Sequence, residues 1–111
     1  MTIEDLKNFG ADTDDGLNRC FGNEGLYLKL VATMPKDANF DKLKAGAEQG
    51  DTNEVFEAAH ALKGALGNLS LTPMYTLVSD ICETARDGNM PTPEQVDALF
   101  DLRDRLETIV G

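Results

Sequence analysis

Phe56-Glu-Ala-Ala-His60-Ala-Leu-Lys63-Gly64-Ala-Leu-Gly67-Asn-Leu69 is the stretch on which the fold turns. A helix advances about 100° per residue. At that pitch Val55, Ala59, Leu62, Leu66 and Leu69 fall on one stripe, spaced four, three, four and three, as a core-facing side requires. His60, the only histidine of the chain, points roughly 140° away from the centre of that stripe. Phe56, Lys63, Gly64 and Gly67 gather around it within a turn on either side. The outward face thus carries an imidazole, an ammonium and two positions without a side chain. A glycine inside a helix costs roughly 0.5–1 kcal/mol relative to alanine, so Gly64 and Gly67 weaken a helix that its apolar pattern otherwise commits. A local rule broken beside a reactive side chain marks a functional site. The plainer account is that the glycines admit a neighbouring helix and His60 is merely solvated. On spacing alone the two readings stand level.

The whole chain bounds the answer. One hundred and eleven residues with 41% hydrophobic content make one domain with a core of its own. A formal charge of −10 opposes phosphate backbones and anionic bilayers, which excludes nucleic acid and membrane surfaces as partners. No apolar run reaches membrane-spanning length, and Met1-Thr-Ile-Glu-Asp-Leu6 lacks the basic start and apolar centre of a signal peptide. A cytoplasmic location is expected. Cys20 and Cys82 lie far apart, and both are expected reduced and buried.

Working outward, helical signals fill nearly the whole chain. Thr2 caps a short turn through Ile3, Leu6 and Phe9 that stops at Gly10, and a second short piece runs from Asp14 to Phe21 with Leu17, Cys20 and Phe21 on one side. Asn23 caps a helix whose Leu26, Tyr27, Leu30, Val31 and Met34 form an apolar face expected to pack firmly, and Pro35 ends it. Phe40, Leu43 and Ala47 repeat at helical spacing from Asn39 to Gln49, before the stop at Gly50. Asp51 with Glu54 opens the central helix, about 52–69. The pair Thr-Pro occurs at Thr72-Pro73 and again at Thr92-Pro93, a cap followed by proline at the first helical position, so helices of about 73–87 and 93–109 should start alike. The first turns Met74, Leu77, Val78, Ile81, Cys82 and Ala85 inward. The second turns in Val96, Leu99 and Leu106 with Ile109 or Val110, and Phe100 and Leu102 widen its face.

No period-two alternation of useful length occurs, so the chain is all-α. Short connections between the last four helices favour an antiparallel up-down four-helix bundle, with additional short N-terminal helices covering one end or flank. Residues 1–111 form a single domain, and the acidic surface over a filled bundle favours a monomer.

Little chemistry fits such a bundle. One histidine among carboxylates at no recognisable spacing is poor provision for a metal. A hydrolytic triad needs a cleft, whereas His60 lies on a convex face. Gly64 and Gly67 lie inside a helix and make no phosphate-cradling loop. A neutral imidazole is already a good nucleophile near pH 7, and phosphoryl transfer asks chiefly for positioning and charge neutralisation. Lys63 can supply the cation. The face reads as a point of phosphate exchange.

His60-Ala-Leu-Lys63-Gly64 followed by Ala65-Leu-Gly67-Asn-Leu69 resembles the signature of histidine-containing phosphotransfer (HPt) domains of two-component phosphorelays. The likeness extends to the lead-in from Gly50, the segment Asn23 to Val31 and the two helices after the motif, nearly the full chain. The resemblance implies that His60 accepts and donates the phosphoryl group, that Lys63 neutralises it and that Gly64 leaves room for the partner, with Phe56 and Gly67 on the partner-binding face. It implies response-regulator receiver domains and a hybrid sensor histidine kinase as partners. Mg²⁺ would be held by the receiver, and the chain would have no cofactor of its own. The protein would be a phosphoryl carrier without autokinase activity. Two positions depart from the pattern: Ala65 stands where serine is common, and Ser70 where glycine is frequent. Two other readings remain: a helical adaptor that binds receivers or kinases without being phosphorylated, and the phosphorylated domain of a chemotaxis-type kinase, which has a similar bundle.

Overall fold

The computed structural model describes residues 1–111 and contains helices and turns only. In chain order they are α1 (Ile3–Phe9), α2 (Thr13–Arg19), α3 (Glu24–Thr33), a single 3₁₀ turn at Met34–Lys36, α4 (Ala38–Gln49), α5 (Thr52–Asn68), α6 (Thr72–Arg86) and α7 (Pro93–Val110). The four longest make the bundle. The α5–α6 interface is the most extensive, followed by α4–α5 and then α6–α7. The fold is the expected all-α antiparallel bundle.

The linkers show why neighbours run antiparallel. Gly50 and Asp51 alone separate α4 from α5. Gly50 takes φ 72°, a left-handed conformation that a β-carbon disfavours, and Asp51 then caps α5 by accepting a bond from the Glu54 N–H at 3.1 Å. Leu69, Ser70 and Leu71 turn the chain from α5 into α6. Across this hairpin Gly67 faces Tyr75 and Phe56 faces Arg86, and both pairs are equidistant in sequence from Leu71, the register of two antiparallel helices. Val55, Ala59, Leu62, Leu66 and Leu69 are all buried, as the stripe requires, and Ala58 joins them. From α6 and α7, Met74, Val78, Ile81, Cys82, Ala85, Val96, Leu99 and Leu106 complete one continuous core. Cys20 and Cys82 are buried free thiols.

The N-terminal helices gather at the end of the bundle where α5 finishes and α6 starts. The molecule measures 40 × 23 × 19 Å, longer than the roughly 27 Å of an 18-residue helix, because α1 and α2 extend that end. Arg105 of α7 lies over Phe9 at 5.4 Å. The Asp12 N–H donates to the Ser70 carbonyl at 3.0 Å, and the Ser70 hydroxyl donates to the Asp15 carboxylate. Tyr27, wholly buried, donates its hydroxyl to the Leu69 carbonyl at 2.8 Å. Gly16 lies so close under the Tyr27 ring that a β-carbon there would stand 2.5 Å from it.

Three expectations need correction, and one departure gains an explanation. The second helix spans Thr13–Arg19 rather than reaching Phe21; Phe21 has φ 58° and is 94% exposed, outside any apolar side. The face of α3 is narrower than its composition suggests. Tyr27, Val31 and Met34 are buried, whereas Leu26 and Leu30 are 38% and 39% exposed, because α3 meets the bundle along one line only. The two Thr-Pro pairs do not start alike. Thr92 makes the full capping box with Gln95, but α6 begins one residue earlier, behind the buried Leu71, and the Thr72 hydroxyl donates back to the Ser70 carbonyl at 3.3 Å. Finally, Ser70 adopts φ 53°, the left-handed region in which glycine is at ease. Its hydrogen bonds to α2 offset part of that strain.

Candidate functional site

His60 lies near the middle of α5, is exposed, and projects away from the buried stripe. Its ring is not free-standing. Phe56, one turn earlier and half-buried, stacks on it with ring centroids 5.7 Å apart and planes 20° from parallel. The Arg86 guanidinium of α6 lies over the Phe56 ring at 5.5 Å and pairs with Glu83 at 3.1 Å. A column thus crosses from α6 to α5: Glu83, Arg86, Phe56, His60.

Lys63 follows one turn after His60, half-buried, and takes part in none of the ion pairs of the structure. Its charge is felt at Cys82 on α6, the residue that the hairpin register places across from His60. Burial nevertheless prevails there and pushes the Cys82 thiol up, against the opposing pull of Lys63 and Arg86. Cys82 is therefore a protonated core residue with no nucleophile to offer. An unpaired cation remains beside an exposed imidazole, over apolar packing that keeps the helix straight.

The two glycines part company. A β-carbon on Gly64 would meet nothing within 4 Å, so the space beside His60 and Lys63 is open to solvent. A β-carbon on Gly67 would stand 3.1 Å from the Tyr75 ring. The clearance at Gly67 is thus taken up inside the chain, by a half-exposed tyrosine. Close packing explains Gly67; it does not explain Gly64. Phe56, expected on the partner-binding face, is engaged with His60 and Arg86.

Arg86 and Tyr75 were missed in the sequence. The signal that finds them is the symmetry of a helical hairpin about Leu71, which sets Phe56 against Arg86 and Gly67 against Tyr75 once the turn is located.

An exposed histidine with an unpaired lysine one turn on, carried by an antiparallel helical bundle, defines a phosphotransfer class of domain. The Hpt domain family matches residues 26–110, and the chain belongs to that family, the histidine phosphotransfer domains of two-component signalling. Such domains interact with kinase and receiver domains. Among curated proteins, the chemotaxis protein CheA of Bacillus subtilis (strain 168) is 36% identical over 62 residues, 52% of this chain. The aligned part is 9% of CheA, so the chain corresponds to a small portion of that relative. No solved structure matches the chain. No helix is long and apolar enough to cross a membrane.

Proposed function

We propose that the protein is a phosphoryl carrier of a multi-step phosphorelay and that His60 is the residue that carries the group. The observation behind this reading is the exposed imidazole with an unpaired ammonium one turn away and open space at Gly64. A ring nitrogen of neutral His60 attacks the phosphorus of an aspartyl phosphate on a receiver domain. The N–P bond forms as the P–O bond to the aspartyl carboxylate breaks, and the carboxylate leaves with the bonding pair. Lys63 faces the charge that accumulates on the transferred oxygens. Mg²⁺ is the receiver's contribution, and the reverse step returns the group to a second receiver. A hybrid sensor histidine kinase is the upstream source, and the exchange takes place in the cytoplasm.

The likeness to a chemotaxis protein supports a second reading, in which the same bundle serves as the phosphorylated domain of a chemotaxis-type kinase. His60 plays the same part in both. The donors differ: a phosphorylated receiver loads the carrier in the first, and a kinase with ATP in the second.

Incubation with a phosphorylated receiver should add one acid-labile phosphoryl group per chain, read by intact mass, and His60→Gln should take up none. Equal uptake by His60→Gln would overturn the assignment. A wild type that binds the receiver and is never phosphorylated would favour the adaptor reading. Lys63→Ala should slow transfer by on the order of tenfold and leave the melting temperature within a few degrees of the wild type.

A further inference from the structure

An exposed histidine ordinarily turns freely about its second side-chain torsion, whose energy wells are broad. Such freedom costs a nucleophile, because only a narrow range of ring orientations aims the lone pair at the incoming phosphorus. In this structure the ring of His60 lies against Phe56 at 20° and 5.7 Å, an offset stack. The rest of the Phe56 environment is asymmetric. On the side of α6 the ring borders an open recess of about 260 Å³, lined by Thr52, Asn53, Ala85, Arg86 and Gly88. Phe56 packs in part against the core, and at the recess the Arg86 guanidinium lies 5.5 Å over its ring centroid, itself held by Glu83 at 3.1 Å.

We propose that Phe56 is a positioning residue that sets the ring plane of His60, and that Arg86 acts through Phe56 to hold it from α6. The inference rests on His60 being the phosphorylated residue, and it adds how that residue is oriented. In this assignment Lys63 faces the transferred group, and the Arg86 charge acts on the phenyl face over which it lies. The orientation of a side chain on α5 is thereby fixed by a residue of α6, and the geometry depends on the register of the hairpin.

The test uses the full chain and exploits its single histidine, whose two ring C–H signals are unambiguous in a proton NMR spectrum. In the wild type these signals should be shifted by the ring current of the stacked phenyl. Phe56→Leu should move them to the position of an unstacked imidazole and slow the first-order transfer step, measured at saturating phosphorylated receiver, by about three- to tenfold. Phe56→Tyr should restore both. Arg86→Ala should reduce the shift and slow the same step by a smaller factor, with an unchanged circular-dichroism spectrum. A Phe56→Leu variant that weakens receiver affinity alone and transfers at the wild-type first-order rate would overturn the proposal and make Phe56 a docking contact. Wild-type ring signals without a ring-current shift would overturn it equally. If the wild type takes up no phosphate while its signals are shifted, the carrier reading fails and the stack stands.

Discussion

The middle of α5 and its C-terminal end are one helix treated in opposite ways. The middle presents His60, Lys63 and Gly64 with no hydrogen bond from a side chain of another element, an unpaired cation and open space. The end, within a few residues, collects a buried hydroxyl on Leu69, a backbone N–H and a carboxylate on Ser70, and a tyrosine ring seated on Gly16. Density of partners at one point lets the other stay bare. A helix anchored along its buried stripe and fastened at its end needs nothing around His60 to hold it, so that face stays open. The division makes a clear demand: changes at the end should cost stability and spare phosphoryl chemistry, and changes in the middle should do the reverse.

The most forceful way to break that contrast is Gly16→Ala. The added methyl would stand 2.5–2.7 Å from the Tyr27 ring and its hydroxyl, so the ring must move and its bond to Leu69 with it. A loss of about 2–3 kcal/mol is expected from overpacking and the disturbed hydrogen bond, read by urea unfolding. Phosphoryl uptake by the folded fraction should be unchanged. If uptake fell in proportion to nothing but Tyr27 displacement, the two regions would not be separable.

Tyr27→Phe removes the hydroxyl alone. It leaves the Leu69 carbonyl without its buried partner at a cost of about 1–2 kcal/mol. This substitution also changes the shape of the pH profile. Burial is the main cause that pushes the Tyr27 phenol up to about 12 from its ordinary 10. The folded state therefore holds the proton more tightly than the unfolded one, and the resulting contribution is complete below pH 10 and declines as pH rises from there through about 12. Melting temperatures of the wild type should fall over that alkaline window, and those of Tyr27→Phe should fall less. Asp15 acts at the other extreme. The Ser70 hydroxyl, and after it Arg19, lower its pKa, so its contribution is present above the ordinary carboxylate range and disappears as pH falls through the lowered value.

The gentlest test compares the two glycines. Gly64→Ala adds a methyl group to open space in a helix interior and should stabilise the protein by about 0.5–1 kcal/mol. Gly67→Ala brings the same propensity gain but sets its methyl 3.1 Å from Tyr75, and the two effects should nearly cancel in a thermal melt. In a receiver titration Gly64→Ala is the variant expected to bind more weakly. Weaker binding by Gly67→Ala alone would move the clearance to the other end of the motif.

The middle of α5 was largely legible in the sequence, because it is governed by local period. Val55, Ala59, Leu62, Leu66 and Leu69 announce the buried side through their spacing, and His60 is exposed for the same reason. The end of the helix was not legible, because its bonds join residues far apart in sequence: Tyr27 to Leu69 and Ser70 to Asp15. Ser70 registered only as a departure from glycine, and the left-handed backbone that explains the departure is a property of the folded turn. Local signals also misled where tertiary geometry prevailed. Leu26 and Leu30 fit an apolar face by period and yet remain half-exposed, since periodicity gives the direction of a side chain and not whether a neighbour lies there. The Thr72-Pro73 pair had the composition of a cap but lost that role when Leu71 was drawn into the core. The helical period sets Phe56 on the same side as His60; its stack with His60 is an orientation that a projection about the helix axis does not contain.

The family likeness begins at Leu26, but the packed structure begins earlier. Asp12, Asp15 and Gly16 all lie upstream of that boundary and meet the chain again at Ser70 and Tyr27. What evolution has kept recognisable and what packs together are therefore different lengths of chain. A fragment cut at the homology boundary would keep every residue around His60 and the Tyr27–Leu69 bond, and lose the contacts of Asp12 and Asp15 with Ser70 and of Gly16 with Tyr27, so the border of an ancestral module is a poor guide to where this protein can be divided.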